Sequence, residues 1–280
     1  MNYTDAQVPY TRIIEHKHFE SFGADVEANP RTVVSREYST EWMPGMEPYY
    51  PVNDAANTAL LAEELGVEAD RIILPHQTHG VETRIIGKEF CALPEQIHQK
   101  LLEGVDALLT DVQGVCIGVS TADCIPVLLY DEEHHAAAAV HAGWRGTLAR
   151  IVSKAIADMC IAYKTDPKKL KAVIGPGISR KNFEVGDEVY AAFEEAAFDM
   201  PMLAQQEIKR NPDAADPSKL FEKKWHIDLK LANRQLLEHA GVAEENIYES
   251  DVCTYDDVDN YFSARRLGTE SGRIYTGIIL

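Results

Sequence analysis

The chain lacks most of the features that would fix its class at once. Its five cysteines (Cys91, Cys116, Cys124, Cys160, Cys253) are odd in number and include no CxxC pair, which excludes a disulfide framework. A chain of free thiols fits the reducing cytoplasm, the compartment expected here. Positive charge is scarce. With 27 Lys and Arg against 45 Asp and Glu, the net charge of −18 argues against a nucleic-acid backbone or an anionic membrane surface as partner. No stretch reaches the roughly 18 apolar residues of a membrane span. The opening MNYTDAQVPYTRIIEHKHFE has no apolar core of signal-peptide length. The GxxxxGK[ST] phosphate loop is missing, and there is no internal repeat, low-complexity tract or clear linker. What the chain does have is 280 residues that are 45% hydrophobic, enough for a sizeable core. One domain over 1–280 is the economical expectation.

The densest pattern lies between Val105 and Gly146. Four short apolar runs, Val105–Leu109, Val115–Ser120, Ile125–Tyr130 and Ala136–His141, each end at Asp, Gly or Thr. They are too short for buried helices and read as strands of a sheet covered on both faces. Asp131-Glu132-Glu133-His134-His135 reads as a hairpin tip. Helical periodicity is expected over 52–65 with Gly66 as its stop, over 147–163, over 186–198 and over 229–240. Shorter strands are expected at 71–74, 81–86, 171–174, 225–228 and 274–280. Residues 199–222, with Pro201, Pro212 and Pro217, read as a long surface connection, and 8–50 carry no clear pattern. Helices do not alternate regularly with the central strands. The expected class is therefore α+β, a layered sandwich of mixed β-sheets covered by helices rather than a doubly wound fold.

Three residues stand where expected strands meet glycine-bearing turns: His79 in PHQTHG, Cys124 in VSTADCIPVLLYD and His141 in AAAAVHAGWRG. Two imidazoles and a thiolate suit zinc with a fourth position left open. Cys124 could equally be core filler, since cysteine is among the residues most often buried. His141 could simply bond a backbone group. Asp123 stands where a carboxylate could orient a histidine, or merely end a strand. Arg145, just after the glycine turn, is a candidate clamp for an oxyanion, because a cation at a helix start is not favoured by the helix dipole. The glycines of Gly175-Pro176-Gly177-Ile178-Ser179 permit close backbone approach to a ligand. Cys253-Thr254-Tyr255 and Phe262-Ser263-Ala264-Arg265-Arg266 could line a pocket or simply pack. His16 and His18 form an isolated HxH, and His98, His134, His135 and His239 are expected at the surface.

At these motifs the chain resembles the laccase-domain family, also called the multicopper polyphenol oxidase or peptidoglycan-editing-factor family, whose members are described as purine nucleoside phosphorylases. The matching residues are Gln77-Thr78-His79-Gly80, Val105-Asp106-Ala107-Leu108, Thr121 to Val127 (TADCIPV), His141 to Gly146 (HAGWRG), Ile174 to Ile178 (IGPGI), Phe183 to Gly186 (FEVG), and the Asp228-Leu229, Cys253-Thr254-Tyr255 and Phe262 to Arg266 segments. The likeness runs from about residue 70 to 280. The arginine-glycine-glycine turn usual in the family is not found around Phe22-Gly23-Ala24. The resemblance implies zinc held by the positions of His79, Cys124 and His141. It further implies phosphorolysis of adenosine, inosine, guanosine and methylthioadenosine, with hydrolytic deamination of adenosine.

Three other readings compete. A copper-dependent phenol oxidase is one, since two His and a Cys also suit copper. A trinuclear copper cluster, however, needs many paired histidines, and this chain has one HxH. A cysteine hydrolase with Cys124 as nucleophile and His141 as base is another. The last is a metal-stabilised module that binds nucleosides without turning them over.

Overall fold

The computed structural model describes residues 12–15, 34–38, 58, 61–63, 65–210, 221–268 and 271–280. Fourteen strands are named in chain order: β1 Arg12–Glu15, β2 Val34–Tyr38, β3 Ile72–Ile73, β4 Glu82–Ile86, β5 Val105–Thr110, β6 Cys116–Thr121, β7 Ile125–Asp131, β8 Ala136–Ala142, β9 Lys171–Ile174, β10 Glu184–Val185, β11 Ala204–Arg210, β12 Phe221–Ile227, β13 Ile247–Glu249 and β14 Arg273–Ile279. The helices used below are α1 Trp144–Leu148, α2 Ile151–Tyr163, α3 Asp187–Glu195 and α4 Leu229–His239.

The six-stranded sheet runs β13-β9-β7-β8-β5-β4, antiparallel in its middle and parallel at both edges. A five-stranded sheet, β1-β2-β14-β6-β3, is antiparallel except for its β6/β3 edge. The third, β10-β12-β11, is small and antiparallel. This is the α+β sandwich of mixed sheets and covering helices that the sequence leads one to expect.

Side-chain alternation explains the layering. Along β8, Ala136, Ala138, Val140 and Ala142 pack towards α2, α3 and α4 together with Val127, Leu129, Ile156, Met159 and Phe193. Ala137 and Ala139 point the other way and pack with Leu108, Leu128, Ile117 and Val119. Ile117 and Val119 belong to β6, so this second core is the seam between the two large sheets. Both faces of β5, β7 and β8 are thus covered, which is why they read as largely apolar runs. The expected tip at 131–135 is a hairpin between antiparallel β7 and β8, and Asp131 Oδ1 accepts from the Glu133 amide at 3.0 Å.

Several expectations are corrected. The helix foreseen over 147–163 is two helices, because Arg150 adopts φ +63 and interrupts the ladder between α1 and α2. The connection foreseen over 199–222 contains the helix Met200–Leu203 and strand β11, which pairs along its whole length with β12. That strand was hidden because AQQEIKR offers a single large apolar residue, Ile208, which is itself exposed. Residues 211–220 lie outside the described residues. His98 is half-buried rather than exposed: its ring stacks on Phe90 with centroids 4.4 Å apart. In the segment foreseen as a helix over 52–65, residues 58, 61–63 and 65 are helical, and Gly66 stops it at φ +66. The Phe22-Gly23-Ala24 segment and the His16–His18 pair lie outside the described residues. No described helix is long and apolar enough to cross a membrane.

Candidate metal centre

The chain crosses from the five-stranded to the six-stranded sheet twice in this region, from β3 to β4 and from β6 to β7. His79 lies on the first crossing and Cys124 on the second. Both crossings need a left-handed backbone residue that is not glycine: His79 at φ +62 and Asp123 at φ +83. Such conformations are uncommon outside turns and are held by surrounding structure. Gln77 ties the crossings together. Its carboxamide oxygen accepts from the Ser120 amide at 2.7 Å, and its Nε2 donates to the Ser120 carbonyl at 2.8 Å. His141 stands at the end of β8, on the seam side of the sheet, opposite Pro126 of β7.

The ligand atoms of His79, Cys124 and His141 all lie within 4.8 Å of one another. The two imidazoles meet edge to face, with centroids 4.8 Å apart. Gly143 lies against all three. A Cβ there would stand 2.9 Å from His79 Cδ2, 3.2 Å from Cys124 Sγ and 3.6 Å from His141 Cε1. Zinc–ligand bonds of about 2.0–2.3 Å in tetrahedral array put neighbouring donors about 3.3–3.6 Å apart. Two nitrogens and a sulfur gathered this closely fit such an ion with a modest inward shift, and His79, the exposed member, leaves one side open. Among the described residues this is the one group of three or more His, Cys, Asp or Glu able to hold a metal.

Asp106, fully buried in β5, lies behind the triad. Its Oδ1 accepts from the His79 amide at 3.0 Å and from His141 Nδ1 at 2.7 Å. Its Oδ2 accepts from the Thr78 amide at 3.2 Å and the Gly80 amide at 2.7 Å. Asp123, foreseen as the partner of a histidine, does something else. Its carboxylate accepts from Thr254 Oγ1 and from the Arg265 amide, both at 2.7 Å, and so anchors two C-terminal segments to the second crossing.

The electrostatics follow from this packing. Burial alone would raise the Cys124 thiol, but the charge of His141 and hydrogen bonds from both histidines outweigh it and lower the pKa from 9.0 to about 6. Burial also opposes charge on His141, yet the Cys124 thiolate and the Asp106 carboxylate raise it from 6.5 to about 9. For Asp106 the burial penalty is outweighed by His141 and the loop amides, which hold it below the usual carboxylate range. Both shifts favour the thiolate at Cys124, the form in which sulfur binds a metal.

Arg145 is exposed, with its guanidinium 4.2 Å from the centroid of its own neighbour, the Trp144 ring. Arg273 is a cation the motifs did not single out. It starts β14, one residue before the Ile274↔Thr121 pairing that leads into the Cys124 crossing. It is half-buried. Burial lowers its pKa, while Cys124, Tyr275 and Asp123 support its charge. Gly177 packs against the second crossing rather than a free space: a Cβ there would collide with the Ile125 side chain and stand 3.2 Å from the Asp123 carbonyl and 3.3 Å from that of Cys124. Cys253 Sγ accepts from the Ser179 amide and from Asn182 Nδ2, each at 3.3 Å. Asp106 was the significant omission. A lone acid inside the run VDALLT was the signal that could have exposed it, because a buried carboxylate requires donors.

A family model described as multi-copper polyphenol oxidoreductase laccase matches residues 51–280. A second model, for UDP-galactopyranose mutase, matches residues 1–70, most of which lie outside the described residues. A purine nucleoside phosphorylase of Bacteroides thetaiotaomicron is 42% identical over 224 residues, covering 80% of this chain and 78% of that protein. The adenosine deaminase RL5 of an unknown prokaryotic organism is 44% identical over 218 residues, covering 78% of each. Among solved structures, the hypothetical protein YfiH of Bacillus licheniformis superimposes with a TM-score of 0.74 at 25% identity, covering 91% of this chain and 94% of its own.

Proposed function

The chain belongs to the multi-copper polyphenol oxidoreductase laccase family, and from that premise we propose that it is a zinc-dependent purine nucleoside phosphorylase with a second, adenosine-deaminating activity. The observation that carries the reading is the pair of imidazoles and the thiolate gathered over Gly143 with one side open. His79, Cys124 and His141 would hold the ion. Bound there, it would supply Lewis acidity, polarising an oxygen or orienting a nucleophile. Adenosine, inosine, guanosine and methylthioadenosine are the proposed substrates, with phosphate as co-substrate.

Phosphorolysis forms a bond from a phosphate oxygen to the ribose carbon and breaks the bond from that carbon to the purine nitrogen. The chain must hold an anion beside the centre and accommodate charge on the departing base. Arg145 and Arg273 are the proposed phosphate contacts. Arg273 is the better placed, because its partly desolvated guanidinium is worth more to an anion than one fully in water. Deamination adds water at the amino-bearing carbon of the purine, breaks its bond to the amino nitrogen and releases ammonia. The HxE…PCxxC signature of the zinc deaminases is absent, so that chemistry would run here on a different scaffold. The five unpaired cysteines support a reducing compartment, and we place the protein in the cytoplasm.

The low thiol pKa supports a second reading, a hydrolase with Cys124 as nucleophile and His141 as base. Copper in place of zinc is the third, and metal analysis of the purified protein distinguishes the two ions. The deciding experiment is phosphate-dependent release of hypoxanthine from inosine, run with metal-loaded and chelated protein. Release that requires both phosphate and metal supports the phosphorylase. Full activity in a metal-free Cys124→Ala variant overturns the metal mechanism, and release without phosphate favours the hydrolase.

A further inference from the structure

A single carboxylate contacts both histidine-bearing segments of the triad. Asp106 Oδ1 reaches His141 Nδ1 and the His79 amide, while Oδ2 takes the amides on either side of His79. Three successive N–H groups therefore converge on one buried acid. This convergence is what holds His79 at its positive φ. The same acid takes the Nδ1 hydrogen of His141, so the Nε2 lone pair is the one left for the centre. The other hydrogen-bond partner of the His141 ring is Cys124, itself a member of the triad.

We infer that Asp106 is the positioning residue of the metal centre: from one buried site it selects the metal-binding tautomer of His141 and locks the backbone that presents His79. The inference rests on the reading of His79, Cys124 and His141 as metal ligands. It says that the donor geometry is largely set before the ion arrives, by a group that never touches it. Outer partners of metal-bound histidines act in this way, and their loss weakens metal binding about 10- to 100-fold.

Asparagine is the informative substitution because it keeps the shape and turns one acceptor into a donor. Every oxygen of Asp106 faces at least one backbone N–H. In either orientation the new NH2 would therefore oppose a donor. With its NH2 towards His141, it would donate to Nδ1 and drive the ring proton to Nε2, where it blocks the ligand position.

The test uses the full chain labelled with 15N-histidine. Zinc affinity is measured by competition with a chromogenic chelator, and the ring nitrogens are read by NMR in zinc-loaded and metal-free samples. In wild type, zinc-loaded His141 should carry its proton on Nδ1. Asp106→Asn should bind zinc about 10- to 100-fold more weakly and, in metal-free samples at alkaline pH where the ring is neutral, should carry the His141 proton on Nε2. Asp123→Asn is the control: it loses hydrogen bonds of similar kind but should leave the tautomer as in wild type. Equal zinc affinity in wild type and Asp106→Asn overturns the inference. So does a zinc-loaded wild type with the proton on Nε2, a measurement that needs no variant to fold. A wild type that binds neither zinc nor cobalt overturns the reading of the ligands themselves. Neither readout depends on turnover, so the absence of phosphorolysis would count against the proposed activity alone.

Discussion

Gly143→Ala tests the geometry of the centre most directly. The residue has φ −67 and ψ 168, a conformation open to any amino acid, so the substitution adds no backbone strain. Its whole effect is one methyl group. That methyl would stand 2.9 Å from His79 Cδ2 and 3.2 Å from Cys124 Sγ, both closer than ordinary van der Waals contact. Cys124 is held by the second crossing and His141 by β8 and Asp106. His79 is exposed, so its ring is the part that gives way. Overpacking of this kind costs about 1–3 kcal/mol in a rigid core. A yielding exposed ring puts this site near the lower end, about 1 kcal/mol. The larger effect falls on function, because moving one of three donors by a few tenths of an ångström spoils the tetrahedral array. A displacement of about 1 Å can cost about 100-fold in activity, so a loss of about 10-fold in zinc affinity and somewhat more in turnover is expected. Urea unfolding of metal-free protein and chelator competition measure the two effects separately. A Gly143→Ala protein that binds zinc as tightly as wild type would refute the placement of this residue against all three donors.

Metal-free protein should show a pH signature from the Cys124–His141 pair. The thiol pKa is depressed from 9.0 to about 6, so its contribution grows as pH rises from 6 to 9, while the imidazole pKa is raised from 6.5 to about 9, so its contribution is lost over 6.5 to 9. The two cancel between about 6.5 and 9 and neither changes above 9, so melting temperatures relative to Cys124→Ala should be flat from about pH 6.5 upward and slightly lower below about pH 6. Arg273→Gln should raise the KM for phosphate about tenfold, equivalent to one charge-assisted hydrogen bond, whereas Arg145→Gln should raise it less. Equal effects in steady-state assays would remove the distinction between the two cations. Asp123→Ala should cost about 2–4 kcal/mol in thermal or urea unfolding, since it strands Thr254 Oγ1 and the Arg265 amide. A loss below about 0.5 kcal/mol, the range of an ordinary surface change, would contradict the anchoring role.

Much of this architecture is written locally. The runs at 105–110, 125–131 and 136–142 are mostly apolar on both faces because two layers cover them, and that pattern needs no tertiary knowledge to read. The grouping of His79, Cys124 and His141 was foreshadowed, since each stands beside an expected strand, with Gly80 next to His79 and Gly143 two residues after His141. What was not legible depends on partners far away in the chain. Nothing near Asp106 says that its donors come from Thr78, His79 and Gly80, and nothing near Asp123 says that its own come from Thr254 and Arg265. The break at Arg150 is a backbone conformation that side-chain periodicity does not encode. Strand β11 exists because β12 lies beside it, not because AQQEIKR prefers to be extended.

The positions of His79 and Cys124 on the two passages between sheets carry a consequence for how the molecule assembles. Neither sheet alone can present a complete donor set, and the third donor waits at the seam where the sheets dock. An ion held there acts as a rivet through both layers. Its binding free energy opposes their separation rather than the fraying of any one element. Loading the centre should therefore slow amide exchange in β6 and in β8 together, and a partly folded chain with undocked sheets should leave the ion in solution.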